Sequence, residues 1–196
     1  MNEKRLVSRL KKRDEVAFTE LVMLHKTRVF NVCYRMLSNT AEAEDIAQDV
    51  FVRAFIAIQS FRGDAQLSTW LYRIAINLCK NRIKYHVRRR GNSHSSLEDL
   101  GDSIERRRQA RAPQGEPAAA PDKALEGSRA EARVQRALAS VADDFRELLV
   151  LRDIQGLSYS EIMMITNLPE GTVKSRLHRA RSALRKAYDA QEEHGA

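Results

Sequence analysis

The stretch Ser158-Tyr159-Ser160-Glu161-Ile162-Met163-Met164-Ile165-Thr166-Asn167-Leu168-Pro169-Glu170-Gly171-Thr172-Val173-Lys174-Ser175-Arg176-Leu177-His178-Arg179-Ala180-Arg181 decides the fold. Ser158 with Glu161 three residues later has the form of a capping box, in which each side chain serves a backbone amide at the head of a helix. A short helix from Glu161 to about Thr166 follows. Asn167-Leu168-Pro169 makes a tight turn, and Pro169, with φ preset near helical values, is placed to begin the next helix. In that helix Val173, Leu177, Ala180 and Leu184 recur at steps of three and four, which forms a core stripe. Gly171, Lys174, Ser175, His178 and Ser182 fall on the opposite side, with Arg179 on the flank. Two helices joined by a tight turn, the second long and basic, read as a helix-turn-helix. Gly171 leaves room for close approach to a phosphate backbone. A surface helix of this kind also suits an oligomer contact. Upstream, Asp143 or Asp144 is placed to cap a helix through Leu148, Leu149, Val150 and Leu151 that stops at Gly156.

The rest of the chain agrees with a helical reading. Of 196 residues only 8 are glycine and 4 proline, which argues against a turn-rich all-β fold. Lys and Arg outnumber Asp and Glu by 34 to 26, and this net charge of +8 points to nucleic acid, although an acidic membrane or an acidic protein also fits. No apolar run approaches the ~18 residues of a membrane span, and the start of the chain lacks an apolar secretory core, so a cytoplasmic protein without membrane insertion is expected. Cys33 and Cys79 cannot build a disulfide framework and are expected as reduced core thiols.

Composition divides the chain into residues 1–90, a linker over 91–128, and residues 129–196. The linker holds Pro113, Pro117 and Pro121, four glycines, an alanine run and the cluster Arg106, Arg107, Arg108 and Arg111. It has few large apolar residues and is expected to be flexible on its own. The expectation is an all-α protein of two small helical domains joined by a flexible linker, each with a modest core, the second containing the helix-turn-helix.

In the first part, a helix near Glu15 to Leu37 carries Phe18, Leu21, Val22, His25, Val29, Val32, Cys33 and Met36 on one stripe. Ser38-Asn39-Thr40 supplies a stop and a new cap. The next helix, about Ala41 to Ile58, gathers Ile46, Ala47, Val50, Phe51, Ala54 and Ile58 on its core side. Its opposite side carries Glu42, Asp45, Gln48 and Asp49, with Val52 and Ile56 among them. Such a face is either solvated or a surface where apolar contacts ringed by carboxylates meet a basic partner. Phe61 to Leu67 reads as a loop around Gly63. Ser68 or Thr69 can cap a helix to about His86, with Leu71, Ile74, Ala75 and Leu78 toward the core. Arg73, Asn77, Lys80, Lys84 and Arg88 line the other side, Trp70 stands at their margin, and Phe61 lies on the loop before. Cations neutralise phosphates, while aromatics beside them can stack on unpaired bases at about 1–3 kcal/mol per base.

Enzyme chemistry is not indicated. The histidines His25, His86, His94, His178 and His194 do not cluster, Cys79 and His86 lack further ligands at zinc spacing, and neither a phosphate-cradling glycine loop nor a dinucleotide turn occurs. No metal and no cofactor are expected.

Three stretches together carry a family resemblance: Ala43-Glu44-Asp45-Ile46-Ala47-Gln48-Asp49-Val50-Phe51, then Ser68-Thr69-Trp70-Leu71-Tyr72-Arg73-Ile74-Ala75, then Gly171 to Arg181. In this order, and separated by such a linker, they resemble the extracytoplasmic-function RNA polymerase sigma factors of bacteria. The resemblance covers nearly the whole chain outside 91–128. It implies a non-enzymatic polymerase subunit whose first domain binds the polymerase clamp and the minus-ten element, and whose second binds the minus-thirty-five element and the polymerase flap. It implies that Asp45, Gln48, Asp49, Val52 and Ile56 meet the coiled coil of the clamp. Phe61 and Asn77 match positions lining a pocket for a flipped base, and Trp70, Arg73, Lys80 and Lys84 hold nearby bases or backbone. Lys174, Ser175, His178 and Arg179 match base- and phosphate-contacting positions of the recognition helix. Gly171 and Thr172, at its head, belong to the same minus-thirty-five DNA-binding set, and Arg176 and Arg181 serve as phosphate contacts. The family often has an anti-sigma partner that covers the polymerase-binding surfaces. The linker is long for the group, and Met163-Met164 is unusually bulky and is expected in the core.

Overall fold

The computed structural model describes residues 3–92 and 121–193, and every regular element in them is helical. The arginine-rich segment assigned to the linker lies outside the described residues.

A helix that the sequence reading did not anticipate opens the fold. Helix α1 (Glu3–Lys11) buries Leu6 and Leu10, a repeat too short to stand out as periodicity. It is tied to helix α2 (Glu15–Leu37) through Asp14, whose Oδ1 accepts from the Ala17 amide at 3.0 Å as the N-cap. The Arg9 guanidinium, 2.8 Å away, holds the Asp14 carboxyl below its usual range. Ser38 ends α2 in the left-handed region, and the Asn39 side chain accepts from the Glu42 amide to start helix α3 (Thr40–Ala57), as expected of this stop-and-cap sequence. A short 3₁₀ turn, Ile58–Ser60, leads to the loop before helix α4 (Leu67–Asn92).

Neither Ser68 nor Thr69 caps α4. The carboxylate of Glu3, from α1, accepts from the Leu67 amide at 3.0 Å, and Thr69 turns inward to the second half of the chain. Helices α2, α3 and α4 pack on one another around Val29, Val32, Met36, Val50, Leu71 and Ala75. Helix α4 also buries Tyr72 and Ile76, outside the stripe expected of it, because a helix of the second half lies along it. Cys33 and Cys79 are buried free thiols, and a hydrogen bond with Cys33, together with burial, pushes the Cys79 thiol up.

Helix α5 (Pro121–Ser140) already runs through residues assigned by composition to the linker. Helix α6 (Asp143–Leu149) continues as a wider turn, Val150–Ile154, and stops at Gly156, whose φ is +73°. Its cap position is Ala142, which makes no side-chain bond. Asp143 and Asp144 sit inside the first turn instead, where they favour the positive end of the helix dipole. Helix α7 (Tyr159–Thr166) opens with the expected capping box: Ser158 Oγ accepts from the Glu161 amide, and the Glu161 carboxylate from the Ser158 amide at 2.8 Å. Asn167 turns the chain at φ +56°, and the Pro169 carbonyl accepts the first amide bond of helix α8 (Glu170–Glu193).

The two halves do not keep separate cores. Leu148, Val150, Leu151, Leu157, Ile162, Ile165, Val173 and Leu177 join the apolar cluster of α2–α4, while a smaller cluster holds Leu138, Val141, Leu149 and Ala180. Arg146 pins the junction. Its guanidinium donates to Leu138 O, Ala139 O and Val141 O within the second half and to Met36 O at the end of α2, all within 2.9 Å. Burial pulls its pKa down, and Asp143 opposes that. Lone carbonyls at helix ends need such donors when water is excluded.

Candidate nucleic-acid interface

On α3 the predicted partner face stands free. Asp45, Gln48 and Asp49 are exposed, and Val52 and Ile56 are 57% and 66% exposed, large values for aliphatic side chains. The opposite side of the helix is buried, so packing on the core fixes which way these five residues point. Phe55 belongs to the same face and was missed. It lies between Val52 and Ile56 at the three-and-four spacing, packs edge-on against Phe18 with ring centroids 4.5 Å apart, and carries the Arg13 guanidinium over its own face. Val16, Met23 and Leu24 on α2 are exposed apolar residues that were likewise not singled out.

On α4, Arg73, Asn77 and Lys84 are exposed in one row. Trp70 is half-buried, its ring 5.3 Å from that of Phe61. Phe61 itself is buried and packs against Trp70. Both rings border a cleft of about 540 Å³ shared by the Ser60–Ala65 loop, Arg73 and, on the far side, Met164, Ile165 and Asn167 of the second half. Met164 is thus exposed on the cleft wall rather than packed in the core, whereas Met163 packs inward. Lys80 does not stand free: its Nζ meets Glu147 Oε2 at 2.7 Å and lies 4.0 Å from Asp144. Burial raises the Glu147 carboxyl, and Lys80 only partly offsets this.

On α8 the core stripe is as read, with Val173, Leu177 and Ala180 buried and Leu184 half-buried. Gly171, Lys174, Ser175, His178, Arg179 and Arg181 are exposed on the other side, and Thr172 and Arg176 are half-buried. Several of these cations are paired within the chain. Lys174 Nζ is 2.6 Å from Glu170 and lies over the Tyr159 ring, Arg176 is 3.8 Å from Asp144, and Arg181 grips Asp153 with two bonds of 3.0 and 2.6 Å. The Arg179 guanidinium lies over Phe145. Tyr159, at the head of α7, holds Arg152 and Lys174 by its ring and was missed; its place directly after the capping serine was the available signal.

Comparison with known proteins follows the same division. The family model for sigma-70 region 2 matches residues 21–91, and that for sigma-70 region 4 matches 131–184. The chain belongs to the extracytoplasmic-function RNA polymerase sigma factors. It is 38% identical over 184 residues to the sigma factor SigW of Bacillus subtilis, covering 93% of this chain and 95% of that protein. It is 35% identical over 179 residues to the sigma-E factor of Escherichia coli, covering 91% and 90%. Among solved structures it shares its fold with CnrH in complex with the cytosolic domain of CnrY, at a TM-score of 0.64 and 22% identity over 96% of this chain and 97% of that one. It also resembles the sigma factor RpoE of Bartonella quintana, solved with the anti-sigma factor NepR, at a TM-score of 0.60 and 24% identity over 88% and 96%. Among the described residues no helix is long and apolar enough to cross a membrane.

Proposed function

We propose that this chain docks on core RNA polymerase and directs initiation at promoters by reading a minus-thirty-five element with α8 and by reading and melting a minus-ten element with α4 and the Ser60–Ala65 loop. The observation that carries this is a cleft large enough for a base, bordered by Trp70 and Arg73, from which the exposed Asn77 and Lys84 continue along the same helix. Cations there neutralise phosphates of any sequence, and the indole offers a stacking face for a base out of the duplex. Stacking at about 1–3 kcal/mol per base offsets the few kcal/mol of unstacking, so melting needs no nucleotide hydrolysis by this chain. The exposed face of Asp45, Gln48, Asp49, Val52, Phe55 and Ile56 serves the clamp of the polymerase: acidic residues steer toward a basic coiled coil, and the apolar ones supply buried area. Residues of the second half meet the flap and present α8 to the upstream major groove, with Ser175 and His178 as base readers and Arg181 as a phosphate contact. An anti-sigma partner completes this reading, since RpoE of Bartonella quintana was solved with the anti-sigma factor NepR and CnrH with the cytosolic domain of CnrY.

The test is run-off transcription from a library of genomic fragments with core polymerase, followed by permanganate footprinting on a promoter it selects. Asp45→Arg should fold normally, within about ±0.5 kcal/mol as for other surface changes, yet lose polymerase affinity. Trp70→Ala should lose permanganate reactivity around minus ten more than it loses closed-complex binding. Polymerase affinity intact in the first variant and equal losses in the second, with a lowered melting temperature, would reject both assignments.

A further inference from the structure

We propose that Arg13 is a positioning residue for polymerase docking, which holds the Phe55 ring in place on the exposed face of α3. This rests on the assignment of that face to the polymerase clamp. Helix α1 ends at Arg13 in a Schellman arrangement: the Arg13 amide donates to Leu10 O at 3.0 Å and the Asp14 amide to Arg9 O at 3.3 Å. The residue at the centre of such an ending takes a left-handed backbone, and Arg13 has φ +61°. Glycine adopts this conformation freely, whereas a residue with a side chain is strained in it. The folding of α1 by itself therefore favours glycine at position 13. A larger residue held there points to a use for its side chain.

That side chain is engaged at the far end of α3, 42 residues away in sequence. Arg13 Nη1 donates to Phe55 O at 2.5 Å, and the same guanidinium lies over the Phe55 ring, 4.5 Å from its centroid. Phe55 O is one of the last four carbonyls of α3, groups that an α-helix leaves without an amide partner of its own. A cation there also suits the negative end of the helix dipole. Gln59, just past α3, returns the bond by donating its side-chain amide to Lys11 O at 2.5 Å. The ends of α1 and α3 thus cap each other. Phe55 is held from two sides, by Arg13 over its face and by Phe18 edge-on. The exposed Val52 and Ile56 flank it, so the seat of this ring shapes the apolar part of the docking face. A planar guanidinium can stack on a ring and donate in its own plane at once, and a lysine ammonium cannot. Asp45 and Asp49 steer that face toward a basic partner, and a cation on it opposes the steering. Arg13 therefore serves docking by holding Phe55 and not by its charge.

The affinity of the full chain for core polymerase tests this in Arg13→Gly, Arg13→Lys, Phe55→Leu and the double variant Arg13→Gly/Phe55→Leu. Glycine removes the side chain and relieves the backbone, so the melting temperature of Arg13→Gly should stay within about 3 °C of the wild type. Should it fall further, Arg13→Asn, which also suits the left-handed region, takes its place. Arg13→Gly should weaken polymerase binding at least five-fold, opposite in sign to the effect of removing a cation that faces a basic partner. Arg13→Lys keeps the charge and should still weaken binding at least three-fold. In the Phe55→Leu background the glycine should weaken binding less than two-fold further, because the ring it would release is already gone. Wild-type affinity in Arg13→Gly or in Arg13→Lys would overturn the proposal. The full five-fold loss in both backgrounds would overturn it too, as the mark of a direct contact between Arg13 and polymerase. The docking reading fails separately: Asp45→Arg and Phe55→Leu would then both bind as the wild type does, and the Arg13 assignment would fall with it. Loss of affinity in those two with none in Arg13→Gly would remove the Arg13 assignment alone.

Discussion

Gly171 shows how a single residue separates folding from function. It stands in the first turn of α8, its φ is not positive, and a Cβ built there meets nothing within 4 Å. The fold alone therefore does not require glycine. Gly171→Ala should leave stability unchanged or raise it by up to about 0.5–1 kcal/mol, because alanine lowers the entropy of the unfolded chain. It should nevertheless weaken upstream duplex binding, since a methyl group intrudes where the backbone approaches phosphate. Urea denaturation beside a duplex-binding titration separates the two effects, and unaltered duplex affinity would remove Gly171 from the interface. Arg181 makes a related point. Its two bonds to Asp153 mean that a phosphate has to displace a carboxylate. Arg181→Ala should weaken all upstream sequences alike and lower the salt slope by no more than about one unit. A changed sequence preference would make it a base reader instead. The exposure of these side chains was legible from the stripe of Val173, Leu177 and Ala180, because one buried side of a helix fixes the other. Their internal partners were not, since Asp153 and Arg181 are 28 residues apart and meet only through packing.

At the scale of the element, helix starts were readable where the cap is local and unreadable where it comes from elsewhere. Asn39 and Ser158 cap the helices that immediately follow them, through bonds to amides three residues on. Ser158→Ala removes one side of the capping box of α7 and should cost about 1 kcal/mol, read as a lower urea midpoint at unchanged slope. A midpoint equal to that of the wild type would mean that Glu161 and Tyr159 hold the helix start without it. Helix α4 has no such signal, because the group that serves its first free amide is Glu3, 64 residues upstream. Helix α1 itself escaped notice because two buried leucines in nine residues make a weak period.

The whole molecule places an acid where composition could not foresee one. Glu147 is 5% exposed, and burial raises its pKa above the ordinary glutamate value, with Lys80 pulling the other way. A group whose pKa is raised in the folded state adds stability below its unfolded value and loses that addition as pH climbs through the folded value. The stability of the wild type relative to Glu147→Gln should therefore increase as pH falls from 7 toward about 4.5. Paired urea titrations across that range check it, and a difference that shrinks on acidification would show that the Lys80 pair outweighs burial. Arg146→Ala should be far more damaging at every pH, by about 3–5 kcal/mol, because it strips the donor from several buried carbonyls at ~1–3 kcal/mol each.

The sequence by itself determined helices α2, α3, α7 and α8, the existence of α4, and the exposed sides of α3 and α8. These follow from periodicity and caps, which act over a few residues. Only the tertiary structure decided that Leu148, Ile162 and Val173 share a core with Val32 and Leu71, that Thr69 and Lys80 are taken up by Glu161 and Glu147, and that Met164 walls a cleft. Those contacts join residues from about 70 to more than 90 positions apart. Their formation depends on how two amphipathic surfaces fit and exclude water, a property of pairs of helices that no local pattern within either one encodes.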